Sequence, residues 1–162
     1  MVILGVDPGT ARLGWGIVKS EKGSQTVGAY GCLETKKTKA ESVRLKELFD
    51  QFTRLLKKLK PDAVAIEDIF FFKNQKTVIQ VSQARGVILL AVQLQNMPAF
   101  SYSPLQVKMA VTGYGRADKR QVQQMTKSIL KLPVIPRPDD TADALAVALT
   151  HAFTHKMKSR LK

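Results

Sequence analysis

The chain has a single cysteine, Cys32, so no internal disulfide can form. It has only two histidines and no Cys/His cluster with the spacing of a zinc site. No apolar run approaches the ~18 residues of a membrane span. The apolar N-terminal run is too short for a signal peptide and lacks its basic flank. We therefore expect a soluble, cytoplasmic protein that has no membrane segment.

Acidic residues are also scarce: 13 Asp and Glu oppose 26 Lys and Arg, a formal charge of +13 over 162 residues. Such a charge on a small domain repels itself unless a polyanion binds it. Nucleic acid is the favoured partner. An anionic membrane surface is the alternative, but no basic amphipathic segment with exposed large apolar residues stands out. The hydrophobic content of 44% is ample for the core of one domain.

Hydrophobic patterns and turn residues predict the order of the secondary structure. Strands are expected over 1–7, 14–19, 27–34, 63–67 and 99–102, with Gly23 in the turn between the second and third. Helices are expected over 40–59, 75–96, 104–111, 118–130 and 139–156. A meander followed by alternating strands and helices predicts one α/β domain over residues 1–156, a mixed five-stranded sheet with helices on both faces. Residues 157–162 are expected to form a basic, disordered tail.

The few acids fall at informative positions. Asp7 ends the first strand, Glu67 ends a later one, and Asp140 and Asp143 share one face of the last helix. In α/β sheets, sites form at the carboxyl ends of strands, so Asp7 and Glu67 meet there if their strands are parallel neighbours. Gathered carboxylates suit Mg²⁺. Two such ions ~3.5–4 Å apart can activate water and stabilise the leaving oxygen in phosphodiester hydrolysis. The pattern predicts a metal-dependent nuclease.

Each acidic position also has a purely structural interpretation. The segment Asp7–Gly9 fits a type II turn, and Glu67 fits an exposed strand end. Asp140 and Asp143 have the spacing of a capping box, and Asp139 is equally able to cap the helix. Their coincidence on a very basic chain favours a site over three unrelated structural roles.

Several motifs, taken in order, resemble those of the RuvC family of bacterial Holliday-junction resolvases, which has a ribonuclease H-like fold. The resemblance runs from about Val2 to about His151, and its motifs are Gly5–Thr10, Ala65–Glu67, Gln83–Gly86, Gln106–Lys108, Lys131–Pro133 and Asp140–Ala146. It implies an endonuclease that resolves four-way DNA junctions by paired symmetric nicks in recombination and repair. It also implies a homodimer, Mg²⁺ or Mn²⁺, and work alongside a branch-migration motor of the RuvA–RuvB type.

The resemblance assigns site residues as well. The family's four metal-binding carboxylates correspond to Asp7, Glu67, Asp140 and Asp143, a spacing that favours Asp140 over Asp139. The neighbouring Asp68 departs from the pattern, and we do not expect it to be a ligand.

A run of three phenylalanines, 70–72, follows the Glu67 strand and does not fit a single buried face. Flanked by Lys73 and Lys76, one ring is suited to stack on an unpaired base at a junction. Packing in the core or at a dimer contact is the alternative, and is preferred for two of the three. By family position, Phe70 is the candidate for stacking.

Basic residues in or beside a glycine-containing loop are candidates for phosphate contacts: Lys108, Arg116, Lys119 and Arg120. Ordinary solvated charge is the alternative for each. The resemblance places Lys108 and Lys119 near the scissile phosphate, where they would stabilise charge on the transferring group.

Three other functions remain open from the residues alone. Asp7–Thr10 fits the phosphate loop of sugar-kinase and chaperone ATP-binding folds, although those need far longer chains. A ribonuclease H-like nuclease acting on RNA and a non-catalytic DNA-binding module are the others. The long helix after Glu67 and the phenylalanine run favour the resolvase. That helix is apolar nearly all round over Val87–Val92, which implies a second apolar neighbour or full burial.

Overall fold

A computed structural model describes residues 1–69 and 75–160, with side chains for all of these except 75–77 and 156–160. In this part of the chain the strands are β1 (Val2–Asp7), β2 (Arg12–Glu21), β3 (Ser24–Glu34), β4 (Ala63–Glu67) and β5 (Ala99–Tyr102). The helices are α1 (Glu41–Leu59), α2 (Gln75–Leu94), α3 (Pro104–Thr112), α4 (Lys119–Ile129) and α5 (Asp139–Arg160). None of the described helices combines the length and apolarity needed to cross a bilayer.

The strands form one five-stranded sheet in the order β3-β2-β1-β4-β5. β1, β2 and β3 are an antiparallel meander, whereas β4 pairs in parallel with both β1 and β5. Lys22 and Gly23 both have positive φ, 46° and 90°, as hairpin turns that follow the twist of the strands require. The predicted mixed sheet is confirmed.

Alternating side chains of the sheet build a core on each face. On one face, Leu4 and Val6 pack with α1 and α2, including Phe52. On the other face, Ile3 and Leu149 belong to a core shared with α3, α4 and α5. Helices therefore cover both faces, as the sequence predicts.

Two glycines let α5 lie directly against the sheet. A Cβ on Gly5 would stand 1.9 Å from the Ala144 carbonyl oxygen, and a Cβ on Gly14 would stand 1.9 Å from that of Asp140. No side chain fits at these distances. The first turns of α5 are therefore held against β1 and β2.

Some element ends differ from the sequence prediction. β2 and β3 are longer than 14–19 and 27–34 because their ladder runs from Arg12↔Glu34 to Glu21↔Ser24. The backbone of α5 continues past the predicted end at 156 to Arg160. No glycine or proline interrupts that stretch, so nothing in the sequence ends the helix earlier.

Candidate active site

Parallel pairing brings Asp7 and Glu67 to the same edge of the sheet. Val6 is the partner of Ile66 in the β1–β4 register, so the next residue on each strand is one of these acids. Their carboxyl groups lie within hydrogen-bonding reach of each other. Asp140 and Asp143 lie close enough to act electrostatically on Asp7. The structure thus gathers the four predicted acids.

Burial and mutual repulsion disfavour the charged forms of these acids. The pKa of Asp7 is raised well above its ordinary value by burial and then by the charges of Glu67, Asp143 and Asp140. Burial and the charge of Asp143 raise the pKa of Glu67 to about 7. Burial also raises the pKa of Asp143, although Lys119 opposes that shift. Such carboxyl groups hold protons that a cation can displace.

The four carboxyl groups are ligands of the kind that a divalent metal takes, although two of them contact each other and a third contacts a lysine. Among the described residues, no three His, Cys, Asp or Glu side chains form a ready-made metal cage. Instead Asp7 pairs with Glu67, and Asp143 accepts Lys119 Nζ at 2.8 Å. Carboxylate oxygens are the hard ligands that Mg²⁺ takes, and a few suffice because the ion keeps several waters. A bound ion would compete with Lys119 for Asp143 and with the protons that burial favours on these acids.

Two predicted phosphate-binding lysines face the same cluster. Lys108 and Lys119 line a cleft of about 180 Å³ together with Glu67 and Asp143. Capping boxes fix the two helices that carry the lysines. Ser103 and Gln106 form the capping box of α3. Asp118 and Gln121 form that of α4, in which Lys119 is the first residue.

Two of the other predicted DNA contacts lie outside the lysine cleft. Arg116 and Arg120 are exposed and do not line the lysine cleft. Phe70 and Lys73 lie outside the described residues, as does the side chain of Lys76. Their roles in DNA contact stay predictions.

The acids adjacent to the cluster have partners of their own. Asp68 accepts a hydrogen bond from Arg85 at 2.6 Å, and Arg85 also donates to Ser101. Asp68 thus already has a cationic partner, and the expectation that it is not a metal ligand stays a prediction. Asp139 pairs with Arg137 and lies 3.8 Å from Lys119, whereas Asp140 has no cation within 4.0 Å among the described residues. Asp140 is thus the acid left available for another cation.

Sequence reasoning missed Gln123 on α4. Its side chain is only 7% exposed and lies against Asp143, whose pKa it helps to lower. The Nε2 atom has no well-aligned hydrogen bond within the part of the chain described. The sequence feature that could have identified Gln123 is its position on the part of α4 that also carries the buried residues Val122 and Thr126.

These pKa shifts predict a pH-dependent response to Mg²⁺. Carboxyl groups with raised folded-state pKa values keep protons that the unfolded chain has lost. The metal-free protein therefore loses stability as pH rises from the ordinary carboxyl range to about 7, the pKa of Glu67. Mg²⁺ must displace those protons. Its affinity therefore falls, as the pH is lowered, by up to about tenfold per pH unit for each proton displaced. We expect Mg²⁺ to raise the melting temperature more at pH 8 than at pH 6.

Thermal unfolding with and without Mg²⁺ at both pH values measures this. A Glu34→Gln variant, which removes an exposed acid outside the cluster, is the control and should behave as the wild type. Equal Mg²⁺ stabilisation at the two pH values would contradict a protonated carboxyl cluster as the metal site.

Comparison with known sequences identifies a family for this chain. A sequence profile described as crossover junction endodeoxyribonuclease RuvC matches residues 3–151. The RuvC of Fusobacterium nucleatum is 51% identical over 151 residues, which cover 93% of this chain and 80% of that protein. The RuvC of Alkaliphilus metalliredigens is 50% identical over 162 residues, covering 100% and 99% of the two chains.

Solved structures agree with the sequence comparison. The Thermus thermophilus RuvC structure is 35% identical and superposes with a TM-score of 0.90, covering 98% of this chain and 97% of its own. The same protein in complex with a Holliday junction substrate gives a TM-score of 0.91. The yeast mitochondrial Holliday junction resolvase, at 12% identity and a TM-score of 0.65, shares the fold. Since a family profile spans most of the chain and relatives at half identity span nearly all of it, this chain belongs to the RuvC family of crossover junction endodeoxyribonucleases.

Proposed function

We propose that this chain resolves four-way DNA junctions by hydrolysing one phosphodiester bond per subunit at a metal site formed by Asp7, Glu67, Asp140 and Asp143. The observation that carries the proposal is the meeting of Asp7 and Glu67 at the ends of two parallel strands, with the acids of α5 beside them. Mg²⁺ is the proposed ion and Mn²⁺ is the alternative, because both take hard oxygen ligands.

Acidic and basic side chains have separate roles at the proposed metal site. The divalent ions, when bound, activate a water and stabilise the leaving oxygen. Asp7, Glu67, Asp140 and Asp143 would hold the ions through their carboxylate oxygens. Lys119 is 2.8 Å from Asp143 and faces the same cleft as Lys108. Both ammonium groups are therefore positioned to offset the charge that gathers on the phosphate in the transition state.

The DNA is held mainly through its backbone. A chain with a formal charge of +13 releases condensed counterions when it neutralises phosphates, so binding should weaken steeply as salt is added. Exposed Arg116 and Arg120 are proposed to contribute to this sequence-independent attraction. Phe70, Lys73 and Lys76 are proposed to contact the junction from the segment that follows β4.

The working unit is proposed to be a homodimer joined through α2. Ala84, Ile88 and Ala91 bury one face of this helix in the core. The opposite face leaves two leucines and an isoleucine exposed, at 60% for Ile79, 55% for Leu90 and 58% for Leu94. An apolar stripe in water indicates a partner surface. A second copy fits because a junction with two-fold symmetry needs two equivalent sites.

The setting follows from the family resemblance. We propose that the protein acts on recombining chromosomal DNA in the cytoplasm. We also propose that it works alongside a branch-migration motor of the RuvA–RuvB type, which would present the junction to the dimer.

Incubation with synthetic DNA tests the function. The protein should cut a four-way junction in Mg²⁺ but not in EDTA, at symmetric positions in two strands of like polarity. A linear duplex of the same sequence and an RNA–DNA hybrid are the controls, and neither should be cut comparably. Preferential cutting of the hybrid would indicate an RNA-directed nuclease, and binding without cutting would indicate a non-catalytic module.

A further inference from the structure

Arg44, in the first turn of α1, is a buried cation with no acidic partner in the part of the chain that the structure describes. The residue is only 8% exposed. Among the described residues, no carboxylate lies within 4.0 Å of its guanidinium group. Its Nε donates to Thr35 Oγ1 at 3.1 Å. Burying a charge without a counter-charge is unfavourable, so such a group indicates an anion that binds when the protein works.

The hydroxyl that holds Arg44 also ties it to the turn after Asp7. Thr35 Oγ1 donates to the backbone carbonyl of Thr10 at 2.5 Å. The guanidinium is thus linked through two hydrogen bonds to the loop that follows the first catalytic strand. Within the described residues, Nε is the guanidinium atom with a hydrogen-bond partner. The other N–H donors of the planar fork can therefore match two phosphate oxygens at once.

The side chain lines a cleft of about 880 Å³ beside the carboxylate cluster. Arg12 and Lys37 lie on the same cleft, and so does Asp140 from the cluster itself. The other acid on the cleft, Glu34, is paired with Arg12 at 3.3 Å. Lys37 and Arg44 are therefore its unpaired cations within the described part of the chain.

Asp140 and Asp143 line different clefts. Asp140 faces the Arg44 cleft, whereas Asp143 faces the smaller cleft of Lys108 and Lys119. The cluster thus lies between two basic clefts. A strand whose scissile phosphate sits on the carboxylates and faces Lys108 and Lys119 would place a neighbouring phosphate towards the Arg44 cleft.

We propose that the Arg44 cleft binds a backbone phosphate of the cleaved strand close to the scissile phosphate. Arg44 is the buried ligand, and Lys37 is an exposed cation at the rim. The role is one of positioning: it fixes the strand so that the scissile phosphate stays on the carboxylates. The proposal rests on the function proposed above, since it takes the occupant of the carboxylate cluster to be a DNA strand.

The first test compares two charge removals on the same helix. Junction binding is measured in EDTA, where no cutting occurs, over a range of salt concentrations. Arg44→Gln should reduce the slope of log K against log salt by about one unit. Arg54→Gln is the matched control, because Arg54 is exposed on α1 and does not line the cleft, and its slope should equal that of the wild type.

The second test locates the contact. Phosphates of the cleaved strand are replaced one at a time by uncharged methylphosphonates. With the wild type, one replacement within about two nucleotides of the nick should weaken binding by the same factor as Arg44→Gln. With Arg44→Gln, that replacement should cause no further loss. If the two losses multiply at every position, Arg44 does not contact the backbone and the proposal is overturned.

A purely structural role gives a different result. If Arg44→Gln lowers the melting temperature but leaves the salt slope unchanged, Arg44 only joins α1 to the turn after Asp7. If Arg44→Gln fails to fold, the surface variant Lys37→Gln takes its place. Junction binding by Lys37→Gln should be less sensitive to the same methylphosphonate than binding by the wild type, and equal sensitivity would overturn the proposal. Inorganic phosphate should compete weakly for the cleft, and equal competition against Arg44→Gln would argue for a free-anion site elsewhere. These binding results are independent of wild-type cutting in Mg²⁺, whose absence would instead remove the proposed function.

Discussion

Replacing Asp7 with asparagine is expected to abolish cutting of a four-way junction while leaving the junction bound. The amide has nearly the same shape but lacks the charge that a divalent ion requires. Metal-ion catalysis supplies several kcal/mol and each 1.36 kcal/mol is a factor of ten, so the rate should fall by at least about 10³-fold. Glu67→Gln and Asp143→Asn should behave alike. Binding should hold or improve, because the amide adds no negative charge facing the DNA.

Acid-to-amide substitutions outside the cluster test whether the loss of cutting is specific to the proposed metal ligands. Asp50→Asn changes an acid on α1 whose partner is the surface residue Lys46, and cutting should be normal. Asp140→Asn and Asp139→Asn form the closest pair, since the residues are adjacent and only Asp140 is proposed as a ligand. Loss of cutting confined to Asp140→Asn is expected. If Asp7→Asn cut at the normal rate in Mg²⁺, Asp7 would not belong to the metal site.

A mixed dimer with one Asp7→Asn subunit is expected to nick only one of the two strands that the wild type cuts. The sequence has no internal repeat, so each copy would hold one proposed set of carboxylates and would make one cut. The mixed species is isolated with two affinity tags and assayed on a junction labelled on each strand. Doubly nicked product should fall close to the level of the homodimeric variant, while single nicks persist.

The assembly itself provides the control for that experiment. Light scattering should give twice the 18.0 kDa chain mass. Leu90→Glu, on the exposed face of α2, should shift the protein towards monomer, whereas Arg54→Gln on α1 should not. A monomer under cutting conditions, or two coordinated nicks from the mixed dimer, would contradict one site per subunit.

Local patterns were enough to predict most of the fold. The strand ends at Asp7 and Glu67 could be read from short apolar runs, and their meeting depended only on whether β1 and β4 are parallel neighbours, which they are. The spacing of Asp140 and Asp143 indicated a shared helix face, and α5 begins at the predicted residue, Asp139. These features depend on neighbouring residues and on period, which a single sequence contains.

Other features arise from contacts between distant parts of the chain. The approach of α5 to the sheet depends on Gly14 meeting the backbone at Asp140, 126 positions later. The pairing of Lys119 with Asp143, and the burial of Arg44 behind Thr35, likewise follow from how helices dock. In the sequence, Arg44 looks like one more cation on a basic helix. Its desolvation becomes visible only in three dimensions.

A metal ion held by the carboxylate cluster would contact the scissile phosphate directly, and a sulfur substitution at that phosphate tests this contact. Mg²⁺ prefers hard oxygen ligands, so replacing a non-bridging oxygen by sulfur weakens its contact, whereas Mn²⁺ accepts sulfur more readily. The wild-type protein should cut an unmodified junction in either ion. On the sulfur-substituted junction it should lose cutting in Mg²⁺ and regain it in Mn²⁺. Equal cutting of the two junctions in Mg²⁺, for each of the two sulfur stereoisomers, would contradict a metal held by these carboxylates on the reacting phosphate.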